Sequence, residues 1–253
     1  MKIKTIVALG CIAGSFHLGA AELTAAQIAA RNVAARGGAP AWHAITGMSM
    51  SGEMDAGGTQ NAKLPFLLSL KRPNKSRLEI NFADKTAWQA YDGKKGYKYR
   101  PFLNRDEVEP FSEQESKSAA ANEIDSPLMD YASKGSKLEL VGMEKVEGKA
   151  AYKLRLIPKN RAPYHVWVDA GTFLEVKVEG EPRRLDNRMH PVMVYYRDYK
   201  AVNGVMLPQV LETAVDGVAQ THKIKITSFK LNPPLDDTLF AQRALSPTDS
   251  RTN

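Results

Sequence analysis

The dominant pattern along this chain is an alternation of apolar and polar positions. Leu64, Phe66, Leu68 and Leu70 share one parity, and Leu78, Ile80 and Phe82 repeat it opposite Arg77, Glu79 and Asn81. Tyr152, Leu154 and Leu156 stand against Lys153 and Arg155; Val166 and Val168 stand against His165, Trp167 and Asp169. The series continues through Val176 and Val178, Val192, Val194 and Tyr196, Leu207, Gln209 and Leu211, and Ile224 and Ile226. Successive side chains of a strand point to opposite faces, so each run is a strand with one dry and one wet face, the antiparallel pattern. Asp92-Gly93, Glu147-Gly148, Ala170-Gly171, Asn203-Gly204 and Asp216-Gly217 fall between such runs, where hairpin turns need residues that tolerate positive φ.

Helical signals are confined to a few places. Glu22 to Arg36 reads as a helix, opened by the capping-box pattern Thr24-Ala-Ala-Gln27 and stopped by Gly37-Gly38. A short helical turn is expected from Pro40 through Trp42 to Ile45. Pro110 to about Ala132 is polar, rich in Ala and Ser, and lacks alternation; it predicts one or two helices between strands near Tyr99 and Leu138. The expectation is a mainly β protein with a few helices (α+β), in which about ten meandering strands form one strongly curved antiparallel sheet. The apolar inner face of such a sheet is filled by side chains, plugged by helices, or occupied by a ligand. No linker divides the chain, so residues 22–244 read as one domain and 245–253 as a flexible tail.

Composition narrows the picture. A chain of 253 residues buries roughly 70–75% of its unfolded surface without disulfides. With 43% hydrophobic and 25% charged residues it is neither collagen-like nor largely disordered. No apolar run reaches the roughly 20 residues of a spanning helix. The start is different in kind: basic Met1-Lys-Ile-Lys, then the apolar run from Thr5 to Phe16, then Gly19-Ala20-Ala21 before Glu22. That is the layout of a secretory signal peptide over residues 1–21, which implies export. An acylated Cys11 is disfavoured by the short apolar stretch before it. Without residues 1–21 the net charge falls from +7 to +5 and the single cysteine is lost, leaving 232 residues with no thiol for disulfide, nucleophile or metal ligand.

Candidate chemistry is sparse. His43, His165, His190 and His222 lie far apart, with no HExxH and no zinc-site spacing. His165 and Asp169 share a strand face around Trp167, where a cross-strand surface role outweighs a catalytic dyad. No GxSxG elbow, Walker loop or GxGxxG occurs, so no catalytic residue, metal or cofactor is assigned. Arg183, Arg184 and Arg188 sit with Asp186 and Asn187 after Glu181-Pro182, either as a solvated loop or as a rim contact for a lipid phosphate or acidic partner. Lys71-Arg72-Pro-Asn-Lys75 and Lys94-Lys95 read as basic hairpin tips; scattered in this way they argue poorly for nucleic acid. Tyr195, Tyr196 and Tyr199 either stack in a groove or pack within strands.

Several segments in order resemble the LolA/LolB-like superfamily, in particular proteins named outer-membrane lipoprotein-sorting protein. They are Ile28-Ala-Ala-Arg-Asn-Val-Ala-Ala-Arg-Gly-Gly38, Ala90-Tyr-Asp-Gly-Lys-Lys-Gly-Tyr97 leading to Pro101-Phe102, and Ser126-Pro-Leu-Met-Asp-Tyr-Ala-Ser-Lys-Gly135. Further along stand Val141-Gly-Met-Glu-Lys-Val-Glu-Gly148, Trp167-Val-Asp-Ala-Gly-Thr-Phe-Leu174, Asp198-Tyr-Lys-Ala-Val-Asn-Gly204 with Leu207-Pro208, and Asn232-Pro-Pro-Leu-Asp-Asp-Thr-Leu-Phe240. These are turn and packing motifs, not catalytic signatures.

The resemblance implies an unclosed half-barrel whose concave mouth is covered by helices, and a non-enzymatic periplasmic carrier or chaperone that holds a lipid or the acyl chains of a lipoprotein. Glu113 to Tyr131 would supply the lid. Candidate lining positions are Leu68, Leu70, Leu78, Ile80, Phe82, Trp88, Tyr97, Tyr99, Leu154, Leu156, Val166 and Val168. The competing reading is that they simply pack against the helices. An inner- or outer-membrane partner protein is possible on the same fold. So is an interaction module serving an exporter or an envelope-stress regulator, or an enzyme acting on a small apolar substrate.

Overall fold

The computed structural model describes residues 22–57, 62–101, 105–121 and 123–242. The expected signal segment 1–21 and the expected tail 245–253 lie outside the described residues. The first half of the chain contributes α1 (Ala25–Ala35), α2 (Ala39–His43), β1 (Gly47–Asp55), β2 (Lys63–Lys71), β3 (Lys75–Phe82), β4 (Lys85–Tyr91), β5 (Gly96–Arg100), β6 (Arg105–Pro110) and α3 (Glu113–Ala120). The second half contributes β7 (Lys137–Val146), β8 (Lys149–Ile157), β9 (Tyr164–Asp169), β10 (Glu175–Leu185), β11 (Arg188–Val202), β12 (Val205–Val215) and β13 (His222–Leu231), then a short 3-10 helix, Asp237–Phe240.

All thirteen strands form one antiparallel sheet in the order β6-β5-β4-β3-β2-β1-β13-β12-β11-β10-β9-β8-β7. It is mainly β, as the alternation predicts, and not closed into a barrel, as the resemblance implies, with three more strands than expected among the described residues. Two meanders, β1 to β6 and β7 to β13, are sewn together by the pairing of β1 with β13. The turns follow their chemistry: Glu147-Gly148, Asp186-Asn187 and Asn203-Gly204 all have positive φ and close two-residue hairpins.

Strands β6 and β7 are consecutive in the chain but lie at opposite edges of the sheet. Their connection must therefore cross the whole sheet, and it does so with α3 and the turns that follow it. One helix, 113–120, lies in the stretch from Pro110 to about Ala132 where one or two are expected; from 123 to 135 the chain is a series of turns. Pro127 removes a backbone donor there, and Asp130 adopts a positive φ of 53°, both of which oppose helix propagation.

Helices and sheet meet along one face. The capping box expected at Thr24 is formed, with Gln27 N–H donating to Thr24 Oγ1 at 3.2 Å and Thr24 N–H to Gln27 Oε1 at 2.9 Å. Ile28 and Ala29 of α1 pack with Leu128 onto Leu154, Val166, Val168 and Val178. Trp42 of α2, Ile45 and Met129 pack onto Met48, Val205 and Leu207. The core of the molecule thus lies between the helices and β1 plus β7–β13.

Candidate functional site

The helix-bearing face is sealed on one half and open on the other. On the sealed half, Leu154, Val166 and Val168 are 0% exposed beneath α1 and Leu128, and Leu156 is buried beside them. These four expected lining positions are occupied by the protein's own side chains.

On the open half the register joins Met50, Leu68 and Leu78 in one row and Phe66 and Ile80 in the next. Leu64, Leu68, Leu70, Leu78 and Ile80 are only half-buried, and Phe82 is 51% exposed. Five of the expected positions, Leu68, Leu70, Leu78, Ile80 and Phe82, therefore share an apolar trough on β2 and β3 that α1 and α2 do not cover. Helix α3 flanks it: Lys98 of β5 donates to both carboxylate oxygens of Glu115, at 2.6 and 2.7 Å, and is buried in doing so.

Trp88, Tyr97 and Tyr99 lie on the opposite face. Trp88 pairs with Glu79 and Tyr99, so it shares a face with Arg77 and not with Leu78. These rings form a separate cluster with Ala90 and Val108, capped by the Arg77 guanidinium 4.8 Å from the Trp88 ring. The C-terminal 3-10 helix packs over β3 and β4 there, accepting from Arg77 at the Leu239 carbonyl and burying Phe240 completely. Strand parity places these three expected lining positions on the face away from the trough.

A buried polar cluster, missed at the level of sequence, fixes the sealed half. Arg36, just after α1, donates to Glu175 Oε2 at 3.0 Å, and Ser126 Oγ donates to Glu175 Oε1 at 2.5 Å. Tyr199 donates to the Glu175 carbonyl at 3.0 Å, and the Arg36 guanidinium stacks 4.6 Å from the Trp42 ring. Asn32 donates to the Phe173 carbonyl at 2.8 Å, while its Oδ1 has no partner.

Burial alone would raise the Glu175 pKa, but the Arg36 charge and the hydrogen bonds from Ser126 and Arg36 outweigh it and hold the carboxyl below its usual range. Arg36 moves in the complementary direction: burial works against its charge, and Glu175 more than restores it. Burial and the neighbouring Glu175 push the Tyr196 phenol up to about 12. The alternation Glu175, Lys177, Glu179 reads as one wet face, but a bulge between Glu175 and Lys177 turns Glu175 inward. No sequence signal marks that bulge.

The crossing segment is tied down at a second point. Arg72, at the β2–β3 turn, donates to both Asp125 carboxylate oxygens, to the Ile45 carbonyl at 2.7 Å and to the Trp42 carbonyl at 3.1 Å. Burial opposes ionisation of Asp125, yet Arg72 and Lys134 hold its pKa below the usual value. The turn read as a basic hairpin tip is a hairpin turn whose charges are engaged, since Lys71 and Lys75 also pair with Asp237.

Other candidates resolve simply. His165 Nδ1 lies 2.6 Å from Glu179, not beside Asp169, whose carboxylate accepts from the Gly171 and Thr172 backbone in its own turn. Trp167 is buried on the outer face, its Nε1–H donating to Glu144 at 2.8 Å and Lys177 Nζ 3.8 Å from its ring. Two recesses, of ≈ 370 Å³ near Glu147, Asp169 and Arg197 and of ≈ 480 Å³ near Arg72 and Asp125, share no lining residue with the apolar trough. Among the described residues no group of three or more His, Cys, Asp or Glu is placed to hold a metal ion, and no helix is long and apolar enough to cross a membrane.

Comparison with known proteins supports the fold. A family model described as an uncharacterized protein matches residues 125–247, and no curated protein matches the chain. A LolA superfamily protein from Nitrosomonas europaea is 15% identical, with a TM-score of 0.58 over 87% of this chain and 99% of that one. A domain described as an outer membrane lipoprotein-sorting protein, from Vibrio parahaemolyticus, is 14% identical, with a TM-score of 0.58 over 85% of this chain and 95% of that one. A DUF1329 family protein from Desulfovibrio piger gives the same identity, TM-score and coverage. The chain has a LolA-like fold.

Proposed function

We propose that this chain, having a LolA-like fold, is a periplasmic carrier that shelters the acyl chains of a lipid or lipoprotein on the open apolar trough of β2 and β3, without catalysing a reaction. The observation that carries the reading is the apolar group Leu64, Leu68, Leu70, Leu78, Ile80 and Phe82 around the buried Phe66. It stays half-buried or exposed on the same face that α1 and α2 seal elsewhere. Monomeric proteins rarely leave such a contiguous apolar strip to water without a use for it. An acyl chain laid there contributes about 0.8 kcal/mol per buried CH₂, so one chain suffices for reversible holding. Helix α3, held to β5 through Glu115, and the crossing segment, held to the β2–β3 turn through Asp125, border the trough. The description of the Vibrio structure as lipoprotein-sorting agrees with this reading.

The test is the lipid content of the purified protein by native mass spectrometry and solvent extraction. The expected result is a bound lipid or a displaceable hydrophobic probe, lost in Leu78→Glu with Ile80→Glu while the circular dichroism is unchanged. A wild-type protein that holds neither lipid nor probe refutes the carrier.

A second reading, a module that binds another protein, is favoured by the edge strand β7, where Val141 and Met143 are 53% and 56% exposed. Among the described residues no strand pairs with the outer edge of β7, and an edge with apolar side chains accepts an added strand.

A further inference from the structure

Because every connection except that from β6 to β7 joins neighbouring antiparallel strands within one meander, the turns gather at two ends of the sheet. The connections following β1, β3, β5, β8, β10 and β12 share one end. There the β10–β11 hairpin stands out. Residues 181–189 are exposed without interruption, on both faces of the ribbon. Its tip is the turn Asp186-Asn187, with Leu185 opposite Arg188, Arg184 opposite Met189 and Arg183 opposite His190. Each face of the ribbon therefore carries both an arginine and a large apolar side chain.

Met189 is 62% exposed and Leu185 37%. Neither covers the core, and a hairpin tip that only turns the chain needs no apolar residue. Within residues 181–189 the acids are Asp186 at the tip and Glu181 at the base, which accepts from Ser118 of α3 at 2.9 Å, against three arginines. The β8–β9 connection at the same end adds Lys159 and Arg161. Exposed apolar groups recur along this end, at Phe82 beside the β3–β4 turn and at Val218 in the β12–β13 connection, and the apolar trough runs out at the same Phe82.

Guanidinium forks match phosphate oxygens, and short apolar side chains interleaved with them suit the boundary between headgroups and acyl chains. We infer that the β10–β11 hairpin docks this protein on an anionic bilayer surface, Arg183, Arg184 and Arg188 binding lipid phosphates while Leu185 and Met189 dip between them. This surface is separate from the proposed cargo trough and does not depend on it. The charge complementarity selects the occupant: a neutral protein groove would use the apolar pair but not the three arginines.

The experiment is co-sedimentation of the purified protein with vesicles of phosphatidylcholine alone or with one third phosphatidylglycerol. Binding is expected to the anionic vesicles only and to weaken as salt is added. Replacing Arg183, Arg184 and Arg188 together by Gln is expected to lower the partition coefficient about a hundredfold, from about fivefold per arginine. Leu185→Asp with Met189→Asp is expected to lower it as well. Both variants lie at an exposed tip, so unchanged circular dichroism and unchanged lipid content identify the loss as one of docking, not of folding or cargo. Equal binding to neutral vesicles, or full anionic binding by the arginine variant, overturns the proposal. So does a wild-type protein that ignores both vesicles yet binds polyglutamate, which identifies an acidic protein partner instead.

Discussion

Glu175 shows how much one residue decides. It is 1% exposed, ionised, and shared among Arg36, Ser126 and Tyr199, which belong to three separate stretches of chain. Removing one partner of such a pair strands the other charge without water, so Glu175→Ala is expected to cost about 3–5 kcal/mol in urea unfolding. Arg36→Met with Glu175→Leu is expected to cost less than that single change, because it leaves no unpaired charge. The pH dependence has a definite sign. The folded-state pKa lies below the ordinary 4.5, so the contribution is complete above 4.5 and is lost as the pH falls through the lower folded value. Unfolding free energies measured from neutral pH downward are expected to decline through this window, and less steeply in Glu175→Gln. Equal slopes in the two proteins would remove Glu175 as the origin.

Strand β1 is the element on which the two meanders depend, and it is a weak strand by its own residues. Met48, Met50 and Met54 alternate correctly, but Ser49, Ser51 and Gly52 between them have low strand propensity, which is why the alternation does not announce it. Gly52 is required by geometry: at the bulge opposite β13, an added Cβ would stand 1.9 Å from the Lys225 carbonyl oxygen. Gly52→Ala is therefore expected to destabilise by about 1–3 kcal/mol, with faster hydrogen exchange in β1 and β13 specifically. An unchanged thermal midpoint would show that the backbone there shifts freely. The same contrast governs legibility elsewhere. Runs such as Leu64 to Leu70 and Tyr152 to Leu156 declare their strands, and Thr24 and Gly37 bound α1. Trp88, Tyr97 and Tyr99 stand on the other face of β4 and β5 from the trough, and large aromatic side chains by themselves say nothing about parity. The inward turn of Glu175 was hidden because a bulge is a property of the strand pair, not of either strand.

At the scale of the molecule, one face of one sheet does two jobs. Leu154 under α1 is structural, whereas Leu78 in the trough is half-exposed although it has the same chemistry. Leu154→Ala is expected to cost about 2–5 kcal/mol, and Leu78→Ala well under half of that, since less of it is removed from water. Lipid content should rank the two variants in the reverse order, with Leu78→Ala the poorer holder; a parallel ranking would mean that loss of cargo only reports loss of stability. Which half is open follows from where α1 and α2 fall in the strand order, and that is set by the β1–β13 pairing that no local pattern encodes. The unjoined edges β6 and β7 have a mechanical consequence. A closed barrel has its circumference fixed by strand number and shear, and it can swell only by breaking ladder bonds. Here the sheet can splay or furl like a half-rolled page with every interstrand bond intact, so its girth is elastic and a thicker guest costs bending, not rupture.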